Sequence, residues 1–252
     1  MKFLFASDSF KGTITSEQSI RLLREAAQKV FPCCETYGVP VADGGEGTVE
    51  AVIDATGGTM RKVLVSGPLW EKTEASYGVF HENCAIIEMA AASGLPMVPA
   101  ELRNPLNTTT YGTGELIRDA LDAGYRKLAI AIGGSATNDG GMGAMIALGV
   151  RFLDADGREL SGIGVDLEKV VDIDTSGLHP AAKDATFTVM CDVTNPLTGL
   201  DGATYTFGKQ KGGTSEILDQ LEAGMKNYAF VIREKLGKDA EHIAGAGAAG
   251  GL

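Results

Sequence analysis

A glycine-rich stretch in the middle of the chain, AIGGSATNDGGMGAMIALG at residues 131–149, decides the fold class. Residues 127–132 (KLAIAI) are a short apolar run that predicts a buried strand, and residues 142–148 are uncharged and compatible with a helix. Asp139 and the glycines around it therefore lie in a turn from a strand into a helix. Such a turn presents several backbone N–H groups at the positive end of the helix dipole, where a phosphate or another anion binds readily. A tight turn that only packs against a neighbouring strand is the alternative for this stretch taken alone.

The same arrangement occurs a second time, in VPVADGGEGTVEAVIDATGG at residues 39–58. Here a short apolar run leads to Asp43 and two glycines, and an amphipathic helix pattern follows. The repeated Asp-Gly-Gly at Asp43 and Asp139 favours parts of one site over packing, although glycine is abundant, with 34 of 252 residues, and coincidence stays open. Neither turn matches a Walker A loop, because no G-K-[ST] follows, and neither matches G-x-G-x-x-G. A phosphate or nucleotide site here is therefore of another kind.

The composition is that of an ordinary globular protein with an acidic balance. The chain has 252 residues, of which 44% are hydrophobic and 22% charged, enough for one large or two smaller domains. A formal net charge of −11 argues against nucleic acid as the main partner, and an anionic substrate needs a local basic or amide-lined pocket. No apolar run approaches the ~20 residues of a membrane span, and the start (MKFLFASDSF) is too short for a signal peptide, so we expect a cytoplasmic protein. The cysteines and histidines show no metal-site or catalytic spacing.

The first part of the chain predicts a parallel sheet. Residues 2–6 predict a buried first strand. Thr15 and Gln18 then form a capping box that starts a helix. A second strand and the helix after the Asp43 turn complete a β-α-β-α order, which is typical of parallel α/β sheets.

The pattern changes from about Arg61, where extended runs follow one another. The polar turn at residues 81–83 joins two of these runs and predicts antiparallel pairing, while residues 214–236 predict a long helix. We therefore expect an α/β protein with a Rossmann-like parallel sheet domain begun by residues 1–62. A second α/β domain with a mixed sheet follows at residues 63–252.

Charged groups follow several predicted strands, where open α/β sheets place their ligand crevices. Asp8 and Lys11 lie in SDSFKGT after the first strand, Asp192 follows the strand at residues 185–191, and Lys211 precedes two glycines at a helix start. Carboxylates, amide-rich turns and lysines are what phosphoryl transfer requires. Mg²⁺ prefers carboxylate oxygens, a triphosphate needs amides and lysine, and a hydroxyl acceptor needs a carboxylate to take its proton. The residues allow kinase chemistry without naming the acceptor, and a solvated Lys11 is the alternative for that residue.

Seven motifs in order carry a resemblance to a known family. They are SDSFKGT, VPVADGGEGT, EMAAASGL, NPLNTTTYGTGELI, IGGSATNDGGMG, CDVTNPL and FGKQKG. Together they resemble the class I glycerate kinases, bacterial enzymes that phosphorylate D-glycerate from ATP with Mg²⁺, typically giving 2-phosphoglycerate. The resemblance implies a Rossmann-like domain made from both ends of the chain, an inserted second domain, and an active site in the cleft between them. Because family members continue beyond residues 244–252 (AGAGAAGGL), we expect this chain to lack the C-terminal part, which would leave the first domain incomplete.

The resemblance also implies roles for individual residues. Asp192 is expected to be the catalytic base or a magnesium ligand, Lys11 to offset phosphate charge beside Asp8, and Arg103 or Lys211 to hold the glycerate carboxylate. Asp139 is a second candidate magnesium ligand, Asp43 and Asp139 could exchange roles with Asp192, and some of these acids could only cap helices. The predicted catalytic residues are Asp192, Lys11 and Asp8. The predicted substrate- and phosphate-binding residues are Asp43, Gly44, Gly45, Gly133, Gly134, Ser135, Thr137, Asn138, Asp139, Arg103 and Lys211.

Three other functions stay open from the sequence. A catalytically silent, truncated chain could keep the fold and bind glycerate or nucleotide as a homodimer. A different small-acid or sugar kinase could share the scaffold. A nicotinamide oxidoreductase is the weakest, because the dinucleotide fingerprint is absent. No membrane or nucleic-acid partner is expected.

Overall fold

The structure is a computed structural model that describes residues 1–8, 10, 13–41 and 44–252. A small unit at the start consists of strand β1 (Lys2–Ser7), helix α1 (Ser16–Val30) and strand β2 (Glu35–Pro40). The two strands pair in parallel, and the predicted capping box of Thr15 and Gln18 begins α1. The β-α-β order and parallel pairing predicted for this part are confirmed.

The first strand is not buried, which corrects the prediction from its apolar residues. Residues of β1 and β2 alternate between exposed and half-buried positions, and Leu4 keeps 66% of its surface exposed while Tyr37 keeps 52%. The reason is that α1 covers one face of this two-stranded sheet and no described element covers the other.

The larger body is built on a five-stranded mixed sheet, as predicted. Its strand order is β3-β4-β5-β6-β9, with antiparallel pairing from β3 to β5 and parallel pairing from β5 to β9. The turn at residues 81–83 joins two antiparallel strands. The strands are β3 (Thr59–Ser66), β4 (Lys72–Phe80), β5 (Cys84–Glu88), β6 (Lys127–Ala131) and β9 (Thr186–Met190). A separate antiparallel pair consists of β7 (Arg151–Leu153) and β8 (Asp172–Asp174).

Helices cover both faces of the larger sheet. The neighbouring residues Ile86 and Ile87 of β5 point to opposite faces, because side chains alternate along a strand. Ile86 packs in the cluster with helix α2 (Thr48–Thr56), and Ile87 packs in the cluster with helix α4 (Tyr111–Asp122). The remaining helices are α3 (Ala90–Ser93), α5 (Met142–Ala147), α6 (Ala203–Phe207) and α7 (Ser215–Leu236).

A second core forms around α7. Leu221, Met225 and Tyr228 of this helix pack with Phe152 of β7 and with Leu167. Among the described residues, none of the helices has both the length and the apolar character that crossing a membrane requires.

The predicted class, an α/β fold with parallel strands and a mixed sheet, is confirmed. The division into residues 1–62 and 63–252 stays a prediction. Helix α2, which precedes the predicted boundary, packs its buried Val49 and Ile53 on the larger sheet.

Candidate active site

Three parallel strands end side by side at one edge of the larger sheet. Glu88 of β5 lies in register with Ala131 of β6, and Ala131 lies in register with Met190 of β9. The residues that follow each strand therefore meet at this edge, which is where parallel α/β sheets bind ligands.

Two glycine turns meet at this edge with almost no space between them. The Gly133 N–H donates a hydrogen bond to the Gly44 carbonyl over 3.0 Å. A Cβ atom on Gly133 would lie 2.8 Å from the Gly45 Cα atom, closer than real Cβ contacts allow. Gly44 has φ of +90°, and a Cβ atom there would lie 3.1 Å from the Met190 carbonyl oxygen. Glycine is therefore required at this contact for its missing side chain.

A cleft of about 360 Å³ opens beside these turns. Its walls include many of the site residues predicted from the sequence, together with others. The predicted residues that line it are Gly44, Gly45, Gly133, Gly134, Ser135, Asp192 and Lys211.

The turn after β6 presents backbone donors to the cleft. Within the described part of the chain, no hydrogen bond uses the N–H groups of Gly134 and Ser135, while Gly134 lies exposed with φ of +76°. Two successive N–H groups at a turn with positive φ are typical of anion-binding nests. This turn can therefore bind a phosphate or carboxylate by donating hydrogen bonds to its oxygen atoms.

Lys211 brings a cation to the same cleft. Its side chain is only 3% exposed, and Nζ donates hydrogen bonds to Ser135 Oγ over 2.8 Å and to the Thr137 carbonyl over 2.6 Å. Burial lowers the pKa of Lys211 to about 7, which the charge of Asp139 partly opposes. Lys211 forms no ion pair with any described carboxylate, so a bound anion would supply the missing partner.

Among the described residues that line the cleft, Asp192 is the one acidic residue, and it lies on the β9 side. It lies exposed two residues after the strand ends at Met190. Asp8, which follows β1, is half-buried, and it is not among the residues that line the cleft.

Asp139 lies beneath the cleft and is fully buried. Its Oδ2 accepts hydrogen bonds from the Thr110 N–H over 2.7 Å, from Thr110 Oγ1 over 2.8 Å and from the Gly143 N–H over 3.3 Å. Oδ1 accepts one from the Gly141 N–H over 3.2 Å. Burial raises the pKa of Asp139, and these hydrogen bonds oppose the rise. The carboxylate holds the turn and the start of α5 in place, so it offers little to a metal ion.

Three other predicted residues also lie outside the cleft wall. Thr137 and Asn138 are fully buried, and Asn138 donates a hydrogen bond to Thr204 Oγ1. Arg103 is half-buried and donates from Nε to the Val98 carbonyl, while its own backbone packs against Gly212 beside Lys211.

The predicted residues Lys11 and Asp43 lie outside the described residues. Nothing in the described part of the chain therefore places them.

The structure adds to the site a segment for which the sequence predicts no role. Ala248 and Ala249, in AGAGAAGGL, line the cleft, and Ser135 Oγ donates a hydrogen bond to the Ala249 carbonyl over 3.2 Å. The Gly140 N–H donates to the Gly250 carbonyl over 2.9 Å. The glycine-rich composition of this segment is the sequence signal for the contact, because two backbone segments that approach this closely need small residues.

The donor set allows one magnesium position of a particular kind. No group of three or more histidine, cysteine or acidic residues that could hold a metal occurs among the described residues. Mg²⁺ in kinase sites often takes only one or two carboxylates and completes its shell with water and substrate phosphates. Asp192 fits that requirement because it lines the cleft, whereas Asp139 is fully buried and does not line it.

Comparison with known proteins places the chain among relatives of one kind. Residues 3–252 match the profile of the glycerate kinase family. The chain is 49% identical to the glycerate 2-kinase of Escherichia coli and 48% identical to the glycerate kinase of Bacillus subtilis, in each case over 100% of this chain and 66% of the relative. A crystal structure from Salmonella typhimurium LT2, provisionally named glycerate kinase 2, superposes with a TM-score of 0.89 at 46% identity. It is matched over 100% of this chain and 68% of that chain. The chain thus spans 66% of the length of these curated relatives, and it belongs to the glycerate kinase family.

Proposed function

We propose that this chain carries the catalytic cleft of an ATP-dependent glycerate kinase, which phosphorylates a hydroxyl of D-glycerate and gives 2-phosphoglycerate. The observation that carries the proposal is the content of one cleft: the Gly134 and Ser135 N–H groups, the Lys211 ammonium and the Asp192 carboxylate. The names of the relatives, glycerate kinase and glycerate 2-kinase, support the choice of acceptor.

The anionic groups of both substrates are held by backbone amides and by Lys211. The whole chain carries a formal net charge of −11, so its overall field repels ATP and glycerate, and attraction has to be local. The N–H groups after β6 and the buried ammonium supply that local attraction, and burial of Lys211 limits the screening of its charge by water.

Asp192 is the proposed catalytic base or magnesium ligand of the site. It either accepts the proton of the attacking hydroxyl or holds Mg²⁺ together with the phosphates of ATP. When bound, Mg²⁺ offsets the charge on the phosphate oxygens. Lys11, Asp8, Asp43 and Arg103 stay proposed contributors, Lys11 to phosphate binding and Arg103 to the glycerate carboxylate.

The test is a coupled ADP-release assay with D-glycerate, ATP and Mg²⁺, on the chain and on Asp192→Asn. We expect turnover that depends on glycerate and that falls by about 10²–10⁴-fold in the variant. Titration with Mg²⁺ separates the two roles, because a lost magnesium ligand raises the Mg²⁺ concentration needed, whereas a lost base lowers kcat at saturating Mg²⁺.

Asp184→Asn is the matched control, since Asp184 is exposed at the opposite end of β9. We expect it to keep full turnover. Equal activity of Asp192→Asn and the unchanged chain would contradict the proposal.

The assay also decides between the functions left open. A folded chain that binds ATP or glycerate without turnover would favour the catalytically silent protein, and turnover with another small acid or sugar would favour a different kinase. We also propose that the protein is cytoplasmic and forms a homodimer.

A further inference from the structure

Glu88 lies at the same sheet edge but faces a different groove. It is the last residue of β5, and it is absent from the predicted site residues. Its Oε1 accepts a hydrogen bond from the Val49 N–H, in the first turn of α2, over 2.8 Å. The two residues are far apart in the chain, and this bond ties the larger sheet to the helix that follows the Gly44–Gly45 turn.

Helix α2 has no capping side chain of its own. Its N-cap residue is Gly47, with φ of 90°, and no side chain at that position accepts a hydrogen bond. The first N–H groups of a helix have no partner within the helix, and an acidic group near them is favoured by the helix dipole. Glu88 supplies the missing acceptor from another element of the fold.

A carboxylate at this position costs free energy. The pKa of Glu88 is raised to about 7, chiefly by burial, with smaller contributions from the charges of Glu50 and Glu46, while hydrogen bonds from the Val49 and Thr48 N–H groups oppose the rise. The described charged groups that line the groove of about 630 Å³ around Glu88 are Glu17, Glu46, Glu50 and Asp54, all acidic. A carboxylate among other carboxylates is unfavourable unless another interaction offsets its cost in free energy. The hydrogen bond from the Val49 N–H of α2 is the interaction that the geometry offers.

We propose that Glu88 is a positioning residue that fixes the Gly44–Gly47 turn against the cleft by capping α2 from the end of β5. Among the described residues, two hydrogen bonds join the turn region to the larger sheet: the Gly133 N–H donates to the Gly44 carbonyl at its start, and the Val49 N–H donates to Glu88 at its end. Loss of the hydrogen bond to Glu88 frees the end of the turn to move away from the cleft, while the hydrogen bond to Gly44 still holds its start. The part of this inference that concerns ATP rests on the proposed function.

The test combines amide hydrogen exchange with direct ATP binding, for the full chain and for Glu88→Ala and Glu88→Gln at about pH 8. We expect Glu88→Ala to speed exchange of the amides at residues 48–50 by about tenfold, the typical effect of a lost cap, and to weaken ATP binding by a similar factor. Glu88→Gln keeps an oxygen acceptor of the same shape, so it should recover most of both effects.

Glu115→Ala is the matched control. Glu115 also accepts a backbone hydrogen bond from a distant element, from the Ser66 N–H over 2.5 Å, but it does so away from the cleft. We expect it to leave exchange at residues 48–50 and ATP affinity unchanged.

The outcomes separate the two proposals. Unchanged exchange at residues 48–50 in Glu88→Ala, or faster exchange with unchanged ATP affinity, would overturn the positioning role. If the unchanged chain does not bind ATP, the proposed function fails, and the exchange measurement still decides whether Glu88 holds the turn.

Discussion

At the scale of single residues, Lys211 is unusual because it is buried without a carboxylate partner. Lysines are rarely buried unless paired, and two hydrogen bonds to neutral oxygens do not offset the loss of water around the charge. The lowered pKa expresses this cost. An anion in the cleft would favour the charged form, so its binding should be accompanied by proton uptake.

We predict that Lys211→Met changes how stability depends on pH. The pKa of Lys211 is about 7 in the folded chain and 10.5 in the unfolded chain, so between these values the unfolded chain binds more protons and stability rises with pH. Urea unfolding of both chains should show the unchanged chain gaining about 2 kcal/mol relative to Lys211→Met between about pH 7.5 and pH 9.5. Titrating groups that do not interact with Lys211 are common to both chains and cancel in this difference.

Lys209→Met serves as the control, because Lys209 is exposed two residues earlier. Its stability difference from the unchanged chain should stay constant over the same pH range. If the stability difference between Lys211→Met and the unchanged chain is also constant over this pH range, the Lys211 ammonium is exposed to water in solution rather than buried.

Asp139 shows why residue roles were harder to predict than the site. Its sequence environment matches that of Asp43, and both were predicted to bind substrate groups. In the fold Asp139 turns inward because Thr110, far away in sequence, brings an N–H and a hydroxyl to its carboxylate. The Asp-Gly-Gly pattern indicates a turn with an acid, but only the tertiary partner decides whether that acid faces ligand or protein. Glu88 was missed for the same reason, since its hydrogen bond joins elements that are distant in the chain.

At the scale of elements, the cleft depends on the close contact of two turns. We predict that Gly133→Ala separates them, because its Cβ atom would meet the Gly45 backbone, which cannot move aside as a flexible side chain would. We expect a loss of about 1–3 kcal/mol in unfolding free energy. ATP affinity, measured by calorimetry, should fall as well, because the Gly133 and Gly44 hydrogen bond is lost.

Gly124→Ala is the comparison for this variant. A Cβ atom at Gly124 would meet no atom within 4 Å, but φ of +97° strains any residue other than glycine, at about 1 kcal/mol. It should therefore lose stability and keep ATP affinity. Similar ATP affinities in both variants would contradict the role assigned to the turn contact.

Elements with a strong local pattern were predicted well, and exposure was predicted less well. Residues 214–236 were predicted as a helix, and α7 covers Ser215–Leu236 with Thr214 as its cap, because its apolar positions and cap are all local signals. The apolar residues of β1 predict a buried strand, yet Leu4 is exposed. A local pattern shows that a face is apolar, whereas burial depends on an element that has to pack on it.

At the scale of the whole molecule, the chain consists of parts with very different amounts of core. In the larger sheet, Ile86 and Ile87 are essentially fully buried. In the unit of β1, α1 and β2, Ile20 is the one hydrophobic side chain that is buried among the described residues. A two-stranded sheet covered on one face is marginally stable by itself, because it buries little apolar surface.

We therefore predict that the first unit opens separately and before the larger body. Amide exchange at about pH 7 should show β1 and β2 exchanging at least about 100-fold faster than β5 and β6, since opening of the first unit exposes little core. In low urea, the amides of β1, α1 and β2 should exchange together, while those of β5 and β6 follow only global unfolding.

Repeating the experiment at several protein concentrations tests the homodimer. If a second copy covers the exposed face that carries Leu4 and Tyr37, protection of β1 and β2 should rise with concentration. Equal protection of both parts at all concentrations would show instead that the chain unfolds as one cooperative unit.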